Sequence, residues 1–187
     1  MDVILFFQSS TQVSWLRKLA GVHAFAQSRN WLVHIVERYE SPAVIQRALD
    51  KWNPIGCLVD RAISMGKAPD ALFNNLPTVY LDQNPLKPSK KHPCLLHDSA
   101  ATASLAIKEL LALKCRSYAY LGTGKNLHWD NERLARFKKD AKSAGFTLVE
   151  LSHNNLAEEI RKLPKPCGIL AACDYYAIEA HHAATVG

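Results

Sequence analysis

The sequence predicts an α/β protein built from two subdomains, each a doubly wound parallel sheet covered by helices. Short β-type runs alternate with helical patterns along the chain, which is typical of a parallel sheet covered by helices. The alternation is interrupted between Asn84 and Pro93, where ten residues include three prolines and three lysines. Since proline-rich stretches separate elements and act as stiff connectors, we expect residues 84–93 to be a crossover between subdomains 1–83 and 94–187.

The first subdomain is predicted to contain four strands and three helices. The predicted strands are Val3–Phe7, Trp31–Val36, Gly56–Asp60 and Thr78–Asp82, and the helices are 14–28, 42–52 and a short one near 70–75. Trp15, Leu19 and Ala26 recur at the spacing of one helical face. Ser41 followed by Pro42 is the usual start of a helix, because serine caps the first free N–H groups and proline suits the first turn.

The second subdomain repeats the pattern. The predicted strands are 94–97, 117–121, 147–151 and 168–173, and the predicted helices are 99–114, 130–144, 155–163 and 175–184. Asp98 and Asp174 precede helices and are good caps. Gly145 follows the second of these helices, where a glycine with positive φ commonly ends a helix.

Composition limits the function classes. A chain that is 48% hydrophobic is not disordered throughout, and no apolar run reaches the roughly 18 residues of a membrane helix. Asp2 lies where a secretory signal would be positively charged, so we expect a cytoplasmic protein with no membrane contact.

Five cysteines without a CxxC spacing argue against a disulfide framework or a zinc ribbon, and we expect most of them to be reduced and buried. The net charge of +6 is compatible with nucleic-acid binding but does not show it.

Polar residues follow several predicted strands, which matters because ligands of open parallel sheets bind beyond the carboxyl ends of the strands. Carboxylates and amides can pair with ligand hydroxyls, and indole rings can cover C–H faces, so the set suits a polyhydroxylated ligand. The alternative is that these residues are caps and turn formers. The candidates are Gln8, Ser9, Thr11, Trp15, Asp60, Asp82, Asp98, Trp129, Asn131 and Asp174.

Arg133 is a further candidate. It is predicted to lie in the first turn of its helix, where the helix dipole disfavours a cation. A cation in that place is expected to have a specific partner, either a ligand oxygen or a facing carboxylate. The alternative is a weak local pair with Asp130 or Glu132.

Several enzyme motifs are incomplete or absent in the sequence. The stretch Gly122–Lys125 lacks the glycine and the hydroxyl residue of a phosphate loop, and no GxSxG or HExxH is present. Residues His92–His97 offer no convergent metal ligands. We expect no catalytic residue, cofactor or metal, although a small α/β enzyme remains an alternative. No helix-turn-helix signature is visible, so any DNA-binding part would lie outside this chain.

The second half carries a family resemblance. His97-Asp98 precedes a helix that leads into the basic, aromatic-containing stretch Leu113–Gly122. Arg133 is followed four residues later by Phe137, and the apolar stretch Ile169–Cys173 ends at Asp174. In these features, and in the order of its elements, the sequence resembles the type I periplasmic-binding-protein fold and, more narrowly, the ligand-binding domain of lactose-repressor-like regulators. The spacing of Trp129, Arg133 and Phe137 is most similar to the xylose-operon regulators, whose DNA-binding domain is of the AraC type.

The resemblance implies a bacterial transcription regulator whose two lobes close on a small effector, expected to be a sugar. It implies a homodimer and operator DNA bound through a domain outside this chain. Arg133, Asp174 and Asp98 would contribute to the site from one lobe, and Gln8, Ser9, Trp15 and Asp60 from the other. Family sensors are longer, so the second subdomain is expected to be truncated at its C-terminus. A solute-binding protein of a transporter is the alternative with the same fold.

Overall fold

The computed structural model describes residues 1–8, 14–37, 39, 41–61, 70–82, 84 and 89–185, with the side chains of 14 and 15 excepted. The chain divides into two compact units, Met1–Leu96 and His97–Gly187. Each unit has its own parallel sheet, of five strands in the first and three in the second. None of the helices in the described residues combines the length and apolarity that crossing a bilayer requires.

The elements of the first unit are β1 (Val3–Gln8), α1 (Ser14–Ser28), β2 (Leu32–Glu37), α2 (Pro42–Trp52), β3 (Gly56–Asp60), a 3₁₀ turn (Asp70–Phe73), β4 (Thr78–Leu81) and β5 (Cys94–Leu95). The strands form a parallel sheet in the order β2-β1-β3-β4-β5.

Alternate residues of β1 pack against different helices. Leu5 and Phe7 are buried in a cluster with Ile45 of α2, whereas Phe6 is buried with Leu19 of α1. Since successive side chains of a strand point to opposite faces, apolar helices cover both faces of the sheet. A strand buried on both faces reads as a continuous apolar run, which is what the start of the sequence shows.

The predicted start of α2 is confirmed. Ser41 is the N-cap, and its hydroxyl accepts a hydrogen bond from the backbone N–H of Val44 at 3.4 Å. Pro42 is the first helical residue. The helix ends at Asn53, whose φ of 40° lies in the left-handed region that asparagine tolerates.

The elements of the second unit are α3 (Ser99–Ala112), β6 (Ser117–Leu121), α4 (His128–Ser143), β7 (Leu148–Leu151), a 3₁₀ turn (His153–Asn155), α5 (Leu156–Lys162), β8 (Cys167–Ala171) and α6 (Asp174–Thr185). The strands form a parallel sheet in the order β7-β6-β8.

The central strand β6 again divides its side chains between two helical layers. Tyr118 and Tyr120 are buried with Phe137 of α4. Ala119 and Leu121 are buried on the other face, in a cluster that contains Ile160 of α5. Both units therefore have the doubly wound α/β architecture that the sequence predicts.

The strand at Cys94 differs from its prediction. It is two residues long and does not reach His97, and it pairs with β4 through Tyr80 and Cys94. It therefore belongs to the first sheet, whereas the sequence analysis placed it at the start of the second subdomain. A two-residue strand has no alternation of its own, so only its long-range pairing shows which sheet it joins.

The cysteine prediction is correct in part. All five cysteines are free thiols, but only Cys57 and Cys115 are buried. Cys94 is exposed because it lies on the edge strand β5, and the other two are half-buried.

Candidate functional site

The carboxyl ends of β6, β7 and β8 lie at one edge of the second sheet, because all three strands are parallel. The residues that follow them are Gly122 and Thr123 after β6, His153 after β7, and Ala172 to Asp174 after β8. The helices α4 and α6 begin at this edge. We call it the carboxyl edge of the second unit.

Asp130 anchors the loop between β6 and α4. Its side chain is 5% exposed. One carboxylate oxygen accepts a hydrogen bond from the Tyr120 hydroxyl at 2.6 Å, and the other accepts from the N–H and the hydroxyl of Thr123 at 2.8 and 2.6 Å. Three charge-assisted hydrogen bonds offset the cost of burying the carboxylate. Burial and the neighbouring Asp130 charge raise the pKa of Tyr120, which therefore remains a donor.

Arg133 lies one turn beyond Asp130 on α4 and reaches across to β8. Its guanidinium donates a hydrogen bond to the backbone carbonyl of Ala172 at 2.5 Å, and its central carbon lies 4.8 Å from the ring centroid of Trp129. Within the described part of the chain, its Nε is buried and has no hydrogen-bond partner. A guanidinium has five N–H donors in a planar fork, so this cation is held in place with donor capacity left over.

Arg133 remains a candidate, but the prediction that it lies in the first turn of its helix is wrong. The helix α4 begins at His128, so Arg133 lies in the second turn, where the unfavourable effect of the helix dipole is weak. The proposed local pair is not formed among the described residues: Glu132 lies 3.9 Å from His128, and Asp130 is bound by Tyr120 and Thr123. The partner of Arg133 that the structure shows is the carbonyl of Ala172.

The other predicted residues of the second unit have separate roles. Asp98 is exposed and caps α3, where its Oδ1 accepts from the N–H of Ala101 at 2.7 Å. Asn131 is exposed on α4 and donates to the side chain of Asn126 at 2.6 Å. Asp174 is exposed as the first residue of α6. Among the predicted residues of the second unit, all of which are described, Trp129 and Arg133 are in contact with each other.

In the first unit, the candidates Asp60 and Asp82 contact other residues of the unit. Gln8 and Asp60 end β1 and β3 and are 4% and 2% exposed. The hydroxyl of Tyr39 donates to the backbone carbonyl of Asp60, and burial together with the Asp60 charge raises the pKa of Tyr39. Asp82, whose φ is 54°, forms an ion pair with Lys18 of α1.

A cluster next to Asp60 was not predicted. The guanidinium of Arg61 lies 3.8 Å from the ring centroid of Tyr80 and donates to Asp70 at 3.0 Å. The Tyr80 hydroxyl also donates to Asp70 at 3.0 Å. Burial works against ionisation of Asp70, but hydrogen bonds from Ser89, Tyr80 and Arg61 outweigh it and lower the pKa of Asp70. The cluster ties the segment after β3 to β4.

Three predicted residues fall where the structure gives no side-chain information. Ser9 and Thr11 lie outside the described residues, and Trp15 is described only as part of the backbone of α1. Their roles stay predictions.

His153 is the functional candidate that the sequence analysis missed. Its Nε2 lies 2.8 Å from the carbonyl oxygen of Gly122, its Nδ1 lies 2.9 Å from Glu179 Oε1, and its ring centroid lies 4.8 Å from that of Tyr176. No local pattern marks a single histidine in a turn, because its partners are 31 and 26 residues away. The sequence feature that could have identified His153 is its position just after a predicted strand, together with an acidic residue on a later predicted helix.

Comparison with solved structures shows the fold. The chain is similar to a LacI transcriptional regulator from a Rhodococcus species (TM-score 0.76, 18% identity, 98% of this chain and 72% of that chain). It is similar to the trehalose repressor of Escherichia coli (0.75, 15%, 99% and 75%). It is also similar to a periplasmic binding protein/LacI transcriptional regulator from Alkaliphilus metalliredigens complexed with D-xylulofuranose (0.73, 11%, 100% and 73%).

No protein-family model and no curated protein matches the sequence. The three structures are regulators and binding proteins rather than enzymes, and they give the xylose-operon subgroup no support. At these identities the likeness establishes the LacI-type, periplasmic-binding-protein-like fold.

Proposed function

We propose that the chain is the effector-binding part of a transcription regulator and that its effector is a sugar. The observation that carries the proposal is the geometry of Arg133 at the carboxyl edge of the second unit. The guanidinium is fixed by the Ala172 carbonyl and by the Trp129 ring, and its buried Nε has no partner among the described residues. The likeness in fold to a regulator complexed with D-xylulofuranose supports a sugar as the ligand.

The chemistry of this pair suits a polyhydroxylated molecule. A guanidinium donates to two adjacent hydroxyl oxygens through its planar fork. Indole covers the apolar C–H face of a sugar ring and adds contact area without a hydrogen-bond requirement. Asp174 and Asn131, which are exposed near the start of α6 and on α4, add acceptors for ligand hydroxyls. Asp98 would act mainly as a helix cap.

The first unit would supply the opposite part of the site through Gln8, Ser9, Thr11, Trp15, Asp60 and Asp82. In this proposal ligand binding favours a closed arrangement of the two units. The shift between open and closed states is limited by the difference in the ligand's affinity for them.

Operator DNA would be bound by a domain outside this sequence, in a cytoplasmic homodimer. The xylose-operon subgroup and its AraC-type domain stay predictions that rest on the spacing of Trp129, Arg133 and Phe137.

The test is a thermal-unfolding screen of the protein against pentoses, hexoses and their acids. A sugar at 100 times its dissociation constant stabilises the folded state by about 2.7 kcal/mol. We expect a stereospecific shift with one sugar. Arg133→Ala should weaken binding of that sugar by about 10- to 100-fold, because hydrogen bonds to charged groups contribute about 1.5–3 kcal/mol.

Arg136→Ala is the matched control. Arg136 lies three residues further along α4 and pairs with Asp140 of the same helix at 3.0 Å, so its loss should leave sugar affinity unchanged. Equal affinities for the wild type and Arg133→Ala would contradict the site. A folded protein that shows no shift with any sugar would contradict the proposed ligand class.

A further inference from the structure

His153 connects three parts of the second unit. It lies in the 3₁₀ turn after β7, its Nε2 contacts the carbonyl of Gly122 in the loop after β6, and its Nδ1 contacts Glu179 on α6. A backbone carbonyl has no proton to donate, and neither has an ionised carboxylate. The imidazole satisfies both partners as donor only when both of its nitrogens carry a proton. The geometry therefore favours the imidazolium form.

The nearest charged groups favour the same form. Glu179 on α6 and Asp130 on α4 both act to raise the pKa of His153, and Tyr176 of α6 lies against its ring. On α5, Glu159 accepts from the N–H of Ser152, and Glu158 and Arg161 line the same surface cavity as His153, with Glu158 paired to Lys162. The hydrogen bond that His153 donates to Glu179 is the main cause that raises the pKa of His153, with partial burial opposing it. The His153 side chain is 28% exposed, so solvent screens these charges in part.

A chain of contacts connects His153 to the proposed ligand site. Gly122 precedes Thr123, whose N–H and hydroxyl bind Asp130. Asp130 lies in the first turn of α4, the helix that carries Trp129 and Arg133. The ring also lies beside the loop: a Cβ on Gly124, whose φ is 67°, would be in van der Waals contact with the ring's Cδ2 at 3.4 Å.

We propose that His153 is a positioning residue whose imidazolium holds the β6–α4 loop against α6, so that loss of its proton loosens the loop that supports Arg133. The structural part of this inference stands without a ligand. The effect on binding rests on the function proposed above. With a raised pKa, the contribution of the imidazolium is fully present below the unfolded-state pKa of about 6.5 and is lost as pH rises through the folded-state pKa.

The test is a pH titration of the ligand-free protein followed by nuclear magnetic resonance. We expect the His153 ring to titrate with a midpoint above 6.5 and the backbone amides of Thr123 and Gly124 to follow the same midpoint. Glu179→Gln should lower that midpoint. His153→Gln, which keeps one N–H donor but does not titrate, should abolish the titration of the two amides while the rest of the spectrum is retained.

His181→Gln is the control, because His181 is exposed on the same helix α6 and its loss should leave both amides titrating as in the wild type. The proposal is overturned if the Thr123 and Gly124 amides titrate identically in His153→Gln and the wild type. It is also overturned if they stay constant while the His153 ring titrates.

A binding experiment tests the link to the ligand site. The affinity for the sugar found in the thermal screen should fall above the His153 midpoint in the wild type and become independent of pH in His153→Gln. An identical pH dependence in both proteins would overturn the link. Failure of every sugar to bind would contradict the proposed function, and the ligand-free titration would still decide the structural part.

Discussion

The ends of the strands in the two units carry similar residues but use them differently. In the first unit the buried Asp60 accepts a hydrogen bond from Tyr39 through its backbone carbonyl, and Asp82 is paired with Lys18, so both residues contact other parts of the unit. In the second unit the buried carboxylate of Asp130 also stabilises its own loop. The same helix, however, presents Arg133, which is held in place by contacts that leave part of its donor capacity unused.

The difference shows what a polar residue at a strand end indicates. Position alone predicts proximity to the carboxyl edge, but an aspartate there can be bound by local donors, as Asp82 is by Lys18 and Asp130 by Tyr120 and Thr123. A cation fixed by a carbonyl and an aromatic ring is a stronger indication of a ligand site, because the Nε of Arg133 has no acceptor among the described residues. Substitutions of Asp130 and of the Lys18–Asp82 pair compare how much such local contacts stabilise each unit.

The largest effect is expected for Asp130→Ala. The substitution leaves the buried Tyr120 hydroxyl and Thr123 N–H without their acceptor. We expect the free energy of unfolding to fall by about 3 kcal/mol, since each unsatisfied buried group costs about 1–3 kcal/mol. Urea unfolding followed by circular dichroism measures this loss. Asp140→Ala, on the same helix but bonded to Ser104 and Arg136 near the surface, should cost only about 1 kcal/mol. Equal losses would contradict the anchoring role of Asp130.

A smaller loss of stability is expected for Gly168→Ala. A Cβ on Gly168 of β8 would lie 3.1 Å from Cδ1 of the Tyr118 ring, which is fully buried, and 3.3 Å from Leu110. We expect Gly168→Ala to destabilise the second unit by about 2 kcal/mol, because overpacking a core costs roughly 1–3 kcal/mol.

Gly21→Ala in the first unit is the matched substitution. A Cβ at Gly21 meets nothing within 4 Å, and alanine favours the interior of a helix such as α1. It should therefore stabilise the protein by about 1 kcal/mol. Opposite signs of the two changes in urea midpoint would support the packing described for the two units, and a stabilising Gly168→Ala would contradict it.

The smallest effect is expected for Lys18→Met, which removes the ion pair with Asp82 and keeps the apolar stem. The side chains of the pair are 34% and 19% exposed, so we expect a loss of at most about 1 kcal/mol. High salt should reduce the difference from the wild type, because salt screens exposed charges. Unfolding at low and high salt measures it. A loss as large as that of Asp130→Ala would mean that the two units do not differ as described.

Much of the fold could be predicted because its signals are local. The strands Gly56–Asp60 and Ser117–Leu121 and the helix Ser14–Ser28 have the predicted bounds. Gly145, with a φ of 85°, ends α4 as predicted. These features depend on apolar runs, caps and positive φ, which are written in a few neighbouring residues.

One error has a local cause, and the others arise from contacts between residues far apart in the sequence. The start of α4 was placed two residues late because Leu127 at its N-cap position makes no side-chain cap. The membership of β5 depends on its pairing with β4, and the role of His153 depends on Gly122 and Glu179. Arg133 could be singled out, although its actual partner, a backbone carbonyl 39 residues away, could not.

The most direct test of the central claim is the response of Trp129 and Arg133 to the sugar found in the thermal screen, observed as their side-chain N–H signals. We predict that saturating sugar shifts the Trp129 indole N–H and the Arg133 Nε–H. The indole signal of Trp52, which stacks on His34 in the first unit at 4.1 Å, should stay unchanged. Saturation that leaves Trp129 and Arg133 unchanged would contradict a ligand site at the carboxyl edge of the second unit.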